Sequence, residues 1–291
     1  MTAKIIDGRA VSQTLRKGYA LRVESMVRTQ GRAPGLAVIL VGDSPASRIY
    51  VRNKIKACRD VGIDSTFMEL PLDTSEADLL QRIDALNADP AIDGILIQLP
   101  LPAHIRIPPV LERISVDKDV DGFHLYNVGG LVTGSTVFSP CTPYGVQKLL
   151  ESENIPVAGR NVVVVGASNI VGKPTALMLM QQDATVCICH RMTRDLAQFT
   201  ILADILVVAA GVPGLILPQM VKTGAVVIDV GINRLPDGRI IGDVDFEGVR
   251  QKASYITPVP GGVGPMTVTM LLHNTIVSAE RALGLQVVDA T

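Results

Sequence analysis

Short unbroken apolar runs recur along the chain, and stretches with the helical period of apolar residues separate them. In the first half the runs are GLAVILVG, IDSTFMEL and IDGILIQLP, which end at Gly42, Leu70 and Pro100. Helices are predicted over residues 9 to 30, 47 to 60 and 75 to 88, the last capped by Asp73 or Thr74. Alternation of strands and helices predicts a parallel sheet with right-handed crossovers.

The second half repeats this alternation. A helical pattern from Thr142 to Asn154 precedes a VVVV strand. Further strands are predicted at residues 184 to 189, 205 to 210 and 225 to 230, and a long apolar helix runs from Met266 to about Leu283. We therefore predict an α/β protein of two domains, residues 1–121 and 122–291, with the final helix packing back on the first domain.

The most informative segment, from Gly159 to Pro174, reads GRNVVVVGASNIVGKP. A strand buried on both faces has a continuous apolar run, and small residues after it let backbone N–H groups approach a pyrophosphate at a helix N-terminus, which Pro174 is expected to open. Gly166, Ser168 and Gly172 are the candidate cradle. Their spacing departs from G-x-G-x-x-G, so an ordinary strand-to-helix turn with closely packed glycines is the alternative from this motif alone.

Composition narrows the classes of function. The 291 residues suit two domains, and 47% hydrophobic residues with 26 Gly and 18 Pro are typical of a compact α/β enzyme. A net charge of -1 supplies no field for nucleic acid or an anionic membrane. The N-terminus lacks the pattern of a secretory signal, and Asp204 and Pro213 interrupt the most hydrophobic stretch, so we expect a cytoplasmic protein without a membrane span.

Cysteine and histidine spacing favours no metal site. The four cysteines form no C-x-x-C pair and are expected to be reduced packing residues. The four histidines likewise show no paired ligand spacing.

Lys54 is a candidate catalytic residue because of its position on a predicted helix. It lies four residues after Tyr50, so both side chains share one face. A separate charged stripe is formed by Arg48, Arg52, Lys56 and Arg59. Lys54 lies two positions from both Arg52 and Lys56, which turns it about 200° from that stripe and toward the protein body. A lysine buried beside an aromatic ring and an amide would have its ammonium form disfavoured by desolvation. Its pKa would then fall toward the range useful for proton transfer. A solvated lysine on an amphipathic helix is the alternative.

Polar residues near the ends of the first sheet's strands are further candidates, because ligands collect there in open parallel sheets. Gln98 is an amide among apolar neighbours and needs hydrogen-bond partners, either as a site residue or as a satisfied structural glutamine. Asp119 and Asp121, in DKDVDGFH, are carboxylates that suit a ligand ring with paired N–H donors. A turn-capping aspartate before Gly122 is the alternative.

Six motifs, taken in order, resemble those of the bifunctional 5,10-methylenetetrahydrofolate dehydrogenase/cyclohydrolase family over nearly the full chain. They are YVRNK from Tyr50, QLPLP from Gln98, DKDVDGFH from Asp117, PCTPYG from Pro140, the GASNIVGKP turn, and TPVPGGVGPMT from Thr257. The resemblance implies an N-terminal catalytic domain, a C-terminal Rossmann NAD(P)-binding domain and a cleft between them.

The resemblance also implies two reactions. A nicotinamide takes hydride from the one-carbon bridge of methylenetetrahydrofolate, and water then opens the methenyl cation to 10-formyltetrahydrofolate. By the same resemblance Lys54 assists proton transfer, Gln98 orients that lysine, Tyr50 stacks on the folate and Asp121 binds the pterin ring. The further substrate-binding residues implied are Leu99, Pro100, Pro260, Gly261 and Gly262, the last three in a loop that closes over folate. From the residues alone, that loop equally suits a phosphate site.

The cofactor is predicted from a departure from the family pattern. Relatives usually carry Gly-Arg-Ser at the turn occupied here by Gly166, Ala167 and Ser168. The missing arginine has a candidate substitute in Arg191, beside His190 after the second strand of the nucleotide unit, where a Rossmann fold contacts the ribose 2′ position. NADP is therefore favoured, with NAD as the alternative, and the other cofactor-binding candidates are Gly172 and Ile232.

The resemblance implies a homodimer formed through the nucleotide domains. Two other functions stay open from the residues: a two-domain dehydrogenase of the shikimate type, and a catalytically silent folate- or nucleotide-binding module. A shikimate-type dehydrogenase would not require the set of Tyr50, Gln98 and PGGVGP. A silent binding module is disfavoured because Lys54, Gln98 and Asp121 are all intact.

Overall fold

The structure, a computed structural model, describes residues 2–287 apart from the side chain of Ala46. The chain forms two compact units. The three-stranded unit contains Thr14–Cys141 and the residues from Val268, and the six-stranded unit contains the residues up to Gln13 together with Thr142–Thr267. The domain boundary after residue 121 stays a prediction. Within residues 2–287 no helix is both long and apolar enough to cross a membrane.

The three-stranded unit is built on a parallel sheet with strand order β3-β2-β4. Its strands are β2 (Gly35–Val41), β3 (Asp64–Leu70) and β4 (Gly94–Ile97). Its helices are α2 (Pro45–Val61), α3 (Glu76–Ala88), α4 (Ile107–Arg113) and α5 (Leu125–Thr133), with a short 3-10 helix at Val116–Lys118. Every residue of β2 is buried, because neighbouring strands flank it and helices cover the sheet. Its core includes Ile39, Leu79, Ile83 and Ile95.

The six-stranded unit has the parallel strand order β1-β11-β8-β7-β5-β6. Its strands are β1 (Lys4–Ile5), β5 (Asn161–Val165), β6 (Thr185–Cys189), β7 (Ile205–Val208), β8 (Val226–Asp229) and β11 (Tyr255–Ile256), and β9 (Asn233–Arg234) pairs antiparallel with β10 (Ile240–Ile241). Its helices are α6 (Cys141–Ser152), α7 (Gly172–Met180), α8 (Leu196–Thr200) and α9 (Phe246–Arg250). Because β6 and β7 flank β5 on opposite sides, the strand order reverses at β5, as it does in doubly wound nucleotide folds.

Two long helices complete the chain, α1 (Gly8–Gln30) and α10 (Val263–Ala282). The predicted α/β class and parallel sheets are confirmed. Two local predictions are wrong. Ser75 caps α3, because its hydroxyl accepts the N–H of Asp78 at 3.1 Å, so neither Asp73 nor Thr74 is the cap. Helix α7 begins at Gly172, two residues before Pro174.

Candidate active site

Lys54 and Gln98 meet in the three-stranded unit. Helix α2 carries Lys54 one turn after Tyr50, and the Nζ of Lys54 donates to the Oε1 of Gln98 over 3.2 Å. Gln98 directly follows β4, and its backbone N–H still bonds to the carbonyl of Ile39 at 2.8 Å. The sheet therefore fixes the backbone of Gln98, and the helix brings the lysine to it.

Local sequence explains why α2 holds Lys54 at this place. The helix starts where the hydroxyl of Ser44 accepts the N–H of Ser47, and it ends at Gly62, whose φ of 85° few other residues adopt. The arginines and lysines of the predicted charged stripe, Arg48, Arg52, Lys56 and Arg59, are exposed. Lys54 is half-buried on a different face, while Tyr50 is 44% exposed.

Asp121 belongs to the same group of polar side chains. Desolvation raises the pKa of Asp121, and the positive charge of Lys54 opposes that rise. Burial in turn raises the pKa of Cys141 well above its usual value, so this thiol stays protonated. An ammonium, an amide and a carboxylate are thus grouped at the carboxyl edge of the sheet.

Asp119, two residues before Asp121, has a different role from that of Asp121. The carboxylate of Asp119 is buried and accepts the N–H groups of Phe123 and His124, at 3.2 and 2.8 Å, and the Nδ2 of Asn127 at 2.7 Å. Desolvation raises the pKa of Asp119 to about 6 against these bonds. Asp119 therefore holds the turn before α5, which is the capping alternative that the sequence left open for both aspartates.

Cys141 and Asn274 support this site and were missed by the sequence analysis. The Cys141 thiol donates to the carbonyl of Val120 at 3.3 Å, and the Nδ2 of Asn274 donates to the same carbonyl at 2.8 Å and to that of Ser139 at 3.0 Å. The two bonds to Val120 fix the peptide group that precedes Asp121. Asn274 follows Asp121 by more than 150 residues, and no local pattern indicates its role.

In the six-stranded unit, the turn after β5 has the close packing that a dinucleotide requires. A Cβ atom on Gly166 would lie 2.1 Å from the carbonyl oxygen of Ala209, and one on Gly172 would lie 1.9 Å from that of Gly166. Gly166 also has a φ of +117°. The hydroxyl of Ser168 accepts the N–H groups of Val171 and Gly172 at 3.1 and 3.3 Å. Gly166 and Gly172 therefore allow the backbone to pack closely at this turn, and α7 begins at Gly172.

The turn after β6 presents Arg191. The N–H of His190 bonds to the hydroxyl of Thr193 at 2.9 Å, and the Nδ1 of His190 accepts the N–H of Met192 at 3.2 Å. The ring nitrogen thus acts as an acceptor, which fixes the turn around Arg191. Arg191 is exposed and has no ion pair among residues 2–287.

The remaining candidates lie at loops of the six-stranded unit. Pro260 is exposed, whereas Gly261 and Gly262 are buried. The carbonyl of Gly261 accepts the N–H of Arg9 at 3.2 Å, and Gly8 leaves no room for a side chain against Gly262. Ile232 follows β8 and is 46% exposed. Within the described residues, no group of three His, Cys, Asp or Glu side chains is arranged to hold a metal.

The two halves of the chain match two models of one family. Residues 6–121 match the tetrahydrofolate dehydrogenase/cyclohydrolase catalytic domain, and residues 140–283 match the NAD(P)-binding domain of the same enzymes. The chain is similar to the bifunctional protein FolD of Nitrosospira multiformis, with 60% identity over 97% of this chain and 98% of that protein. Identity with the FolD protein of Ralstonia pickettii is 61%, over 97% of each chain.

Solved structures agree over almost the whole length. The Campylobacter jejuni bifunctional FolD enzyme has a TM-score of 0.94 at 50% identity, covering 96% of this chain and 99% of that one. The Trypanosoma brucei enzyme, solved with NADP cofactor and an inhibitor, has a TM-score of 0.93 at 40% identity, covering 97% and 99%.

Proposed function

Because this chain belongs to the tetrahydrofolate dehydrogenase/cyclohydrolase family, we propose that its residues around Lys54 and Gly166 serve the two reactions of a bifunctional enzyme. The protein oxidises 5,10-methylenetetrahydrofolate to the methenyl form and hydrolyses that form to 10-formyltetrahydrofolate. A dehydrogenase of the shikimate type and a silent binding module are not favoured, because both domains of the one family match.

The Lys54–Gln98 contact carries the proposal for the hydrolytic reaction. Attack of water on the methenyl carbon releases a proton, and ring opening requires a proton at the departing nitrogen. The Nζ of Lys54, held 3.2 Å from Gln98 and close to the charge of Asp121, is the group that moves these protons. Gln98 positions it, because its Nε2 is itself tied to the carbonyl of Leu99 at 2.7 Å.

Substrate recognition uses the neighbours of Lys54. Asp121 offers carboxylate oxygens to the ring N–H groups of the pterin, a charge-assisted geometry that suits paired donors. The exposed ring of Tyr50, on the same helix face as Lys54, stacks on the folate. Leu99 and Pro100, which follow Gln98, extend this surface. The substrate-binding roles of Pro260, Gly261 and Gly262 stay predictions.

The turn at Gly166 fits an NAD(P) cofactor, because Gly166 and Gly172 let the backbone pack closely where the chain passes from β5 to α7. Residues of the turn from Gly166 to Gly172 would hold the pyrophosphate at the start of α7. When bound, the nicotinamide supplies the hydride acceptor. The chain's part in this step is alignment, because loss of hydride leaves a nitrogen-stabilised cation and calls for no acid or base.

NADP is the proposed cofactor. Arg191 follows β6, which is where a Rossmann fold contacts the ribose 2′ position, and its guanidinium is free to pair with a 2′-phosphate. No acidic residue stands in the turn from His190 to Arg194 to favour NAD. His190 and Ser168 would hold the cofactor beside Arg191, and Ile232 would lie toward its nicotinamide side.

The assembly proposed is a cytoplasmic homodimer formed through the six-stranded units. Strand β6 is the edge of the sheet and exposes Ile188, so its backbone is open to a second copy. The cysteines are free thiols, as in proteins of a reducing compartment. Light scattering tests the dimer, and a monomeric mass would contradict it.

A two-substrate assay tests the proposed function. Methylenetetrahydrofolate with NADP is expected to produce NADPH absorbance. Methenyltetrahydrofolate alone is expected to lose its chromophore faster than in buffer, without any nucleotide. Absence of either activity in the folded protein would contradict the proposal.

A further inference from the structure

Two buried carboxylates lie beyond the strand ends of the six-stranded sheet, outside the groups described so far. Asp229 is the last residue of β8, and Asp243 follows β10. They are 3% and 0% exposed. Neither has a cationic partner among the ion pairs of residues 2–287. Buried charge of this kind is costly unless hydrogen bonds satisfy it.

Backbone N–H groups satisfy Asp229. Its Oδ1 accepts the N–H groups of Gly231 and Asp243 at 2.9 and 3.0 Å, and its Oδ2 accepts that of Val244 at 3.0 Å. Burial raises the pKa of Asp229 to about 6, and these bonds oppose the rise. Through these three bonds the side chain of Asp229 ties the segment after β8 to the segment after β10.

Asp243 connects these two segments to a third one, the loop after β7. Its Oδ2 accepts the N–H groups of Ala210 and Gly211, after β7, at 2.7 and 2.8 Å. Its Oδ1 accepts the Nδ2 of Asn233 at 2.8 Å. One carboxylate thus joins the loop after β7 to Asn233, the first residue of β9.

Glycines make room for both carboxylates. A Cβ atom on Gly242 would lie 1.8 Å from the Oδ2 of Asp229, and one on Gly231 would lie 2.3 Å from the Oδ1 of Asp243. The carboxylate of Asp229 therefore occupies the space where Gly242 has no side chain, and the carboxylate of Asp243 occupies the corresponding space at Gly231. This close packing fixes the backbone more tightly than hydrogen bonds at the surface would.

The loop after β7, which Asp243 binds, packs against the turn at Gly166. Ala209, next to the two N–H groups that Asp243 binds, has its carbonyl oxygen 2.1 Å from the Cβ position of Gly166. The contact lies between β5 and β7, where the strand order reverses and doubly wound folds bind their ligands. In the segment after β8, Ile232 stands between Gly231, which bonds to Asp229, and Asn233, which bonds to Asp243.

We propose that Asp229 and Asp243 are positioning residues for the dinucleotide, because they set the backbone of residues 209–211, which packs against the turn at Gly166, and of residues 231–233, which follow β8. The inference rests on the proposed nucleotide site. Neither carboxylate reaches the ligand. Each acts through loops whose shape determines how closely the backbone approaches the ribose and nicotinamide.

The test measures KM for NADP, kcat at saturating NADP, and the nucleotide-independent hydrolysis of methenyltetrahydrofolate. Asp243→Ala leaves the N–H groups of Ala210 and Gly211 unpaired, and we expect KM for NADP to rise roughly tenfold or more. We expect kcat and the hydrolysis rate to change less than about threefold. Asp243→Asn retains one acceptor oxygen for both N–H groups and should recover most of the lost affinity.

Asp204→Asn is the matched control. Asp204 precedes β7 at the opposite end of the strand, where it accepts the N–H of Asn161 at 2.9 Å and pairs with Lys222 at 2.6 Å. Its replacement also removes the charge of a carboxylate that binds backbone, but at the end of β7 away from Gly166. We expect its KM for NADP to stay at the wild-type value.

An unchanged KM for NADP in Asp243→Ala with normal hydrolysis would overturn the inference, and so would an equal rise in Asp204→Asn. Where Asp243→Ala does not fold, Asn233→Ser removes only the amide donor to Asp243, and we expect KM to rise about threefold. An unchanged value there would also overturn it. A wild-type protein that fails to oxidise methylenetetrahydrofolate with NADP would instead contradict the proposed function.

Discussion

The Nζ of Lys54 donates to the Oε1 of Gln98 over 3.2 Å, and the rest of the Gln98 amide decides which atom faces the lysine. Its Nε2 donates to the carbonyl of Leu99 at 2.7 Å, so the oxygen is the end left to accept. A reversed amide would set a donor against the ammonium and another oxygen against a carbonyl. Gln98 therefore has one orientation, and that orientation holds Lys54.

This contact predicts the effect of Gln98→Glu. A carboxylate in place of the amide pairs with Lys54 and favours its ammonium form, which slows any step that needs the free amine. It also loses the N–H that bonds to Leu99. We expect hydrolysis of methenyltetrahydrofolate to fall about tenfold or more at neutral pH and to recover partly at higher pH. Gln13→Glu, an exposed change on α1, should leave the rate and its pH profile unaltered.

Arg191→Ala tests the choice of cofactor. Removing the guanidinium should raise KM for NADP about tenfold or more while leaving KM for NAD nearly unchanged, because only NADP carries the 2′-phosphate. Initial rates with both cofactors measure this. Arg194→Ala removes an equally exposed arginine three residues later and serves as the control. An unaltered NADP to NAD preference in Arg191→Ala would remove this residue from the proposal.

Gly166→Ala tests the dinucleotide turn. The added methyl group meets the carbonyl of Ala209 at 2.1 Å, at a residue whose φ is +117°. We expect NADP-dependent oxidation to fall about a hundredfold or more while hydrolysis without nucleotide persists. Gly159→Ala is the matched control, because Gly159 also has a positive φ of +72° but nothing lies within 4 Å of its Cβ position. Equal losses of oxidation in both variants would mean that backbone strain, and not the close approach, is responsible.

The pKa of Asp119 predicts a pH dependence of stability. It is raised to about 6, whereas the ordinary value is 3.8. Between these values the folded state binds more protons than the unfolded state, so this group's contribution to the unfolding free energy falls as pH rises from about 4 to about 6.

Comparison with Asp119→Asn isolates this contribution, because asparagine does not titrate. The unfolding free energy of wild type minus that of the variant should decrease by up to about 3 kcal/mol between pH 4 and pH 7. Urea unfolding at several pH values measures it. A difference that grows with rising pH would show that the hydrogen bonds from Phe123, His124 and Asn127 outweigh burial.

Hydrophobic pattern was sufficient to predict the buried strands and the turn at Gly166. Runs such as that of β5 are long and apolar because the strand is covered on both faces, and this signal is local. The pairing of β1 with β11 was not predicted, since strands of two residues carry no period. It joins Lys4 to Tyr255, which are far apart in the sequence.

The candidate site was predictable only as far as its signals are local. The four-residue spacing of Tyr50 and Lys54 indicated one helix face, and the amide of Gln98 stood out among apolar residues. Asp119 and Asp121 are equivalent in the sequence, and only the bonds from Asn127 and two backbone N–H groups separate their roles. Cys141 had no such signal, because its partners come from distant segments.

Both activities of Lys54→Met test the role assigned to Lys54. Lysine to methionine keeps a long flexible side chain but removes the group that donates to Gln98 and moves protons. We predict that hydrolysis of methenyltetrahydrofolate falls by about a hundredfold or more, whereas NADP-dependent oxidation of methylenetetrahydrofolate persists. Lys56→Met, at an exposed lysine paired with Asp60, should retain both activities. Hydrolysis by Lys54→Met at the wild-type rate would contradict the account.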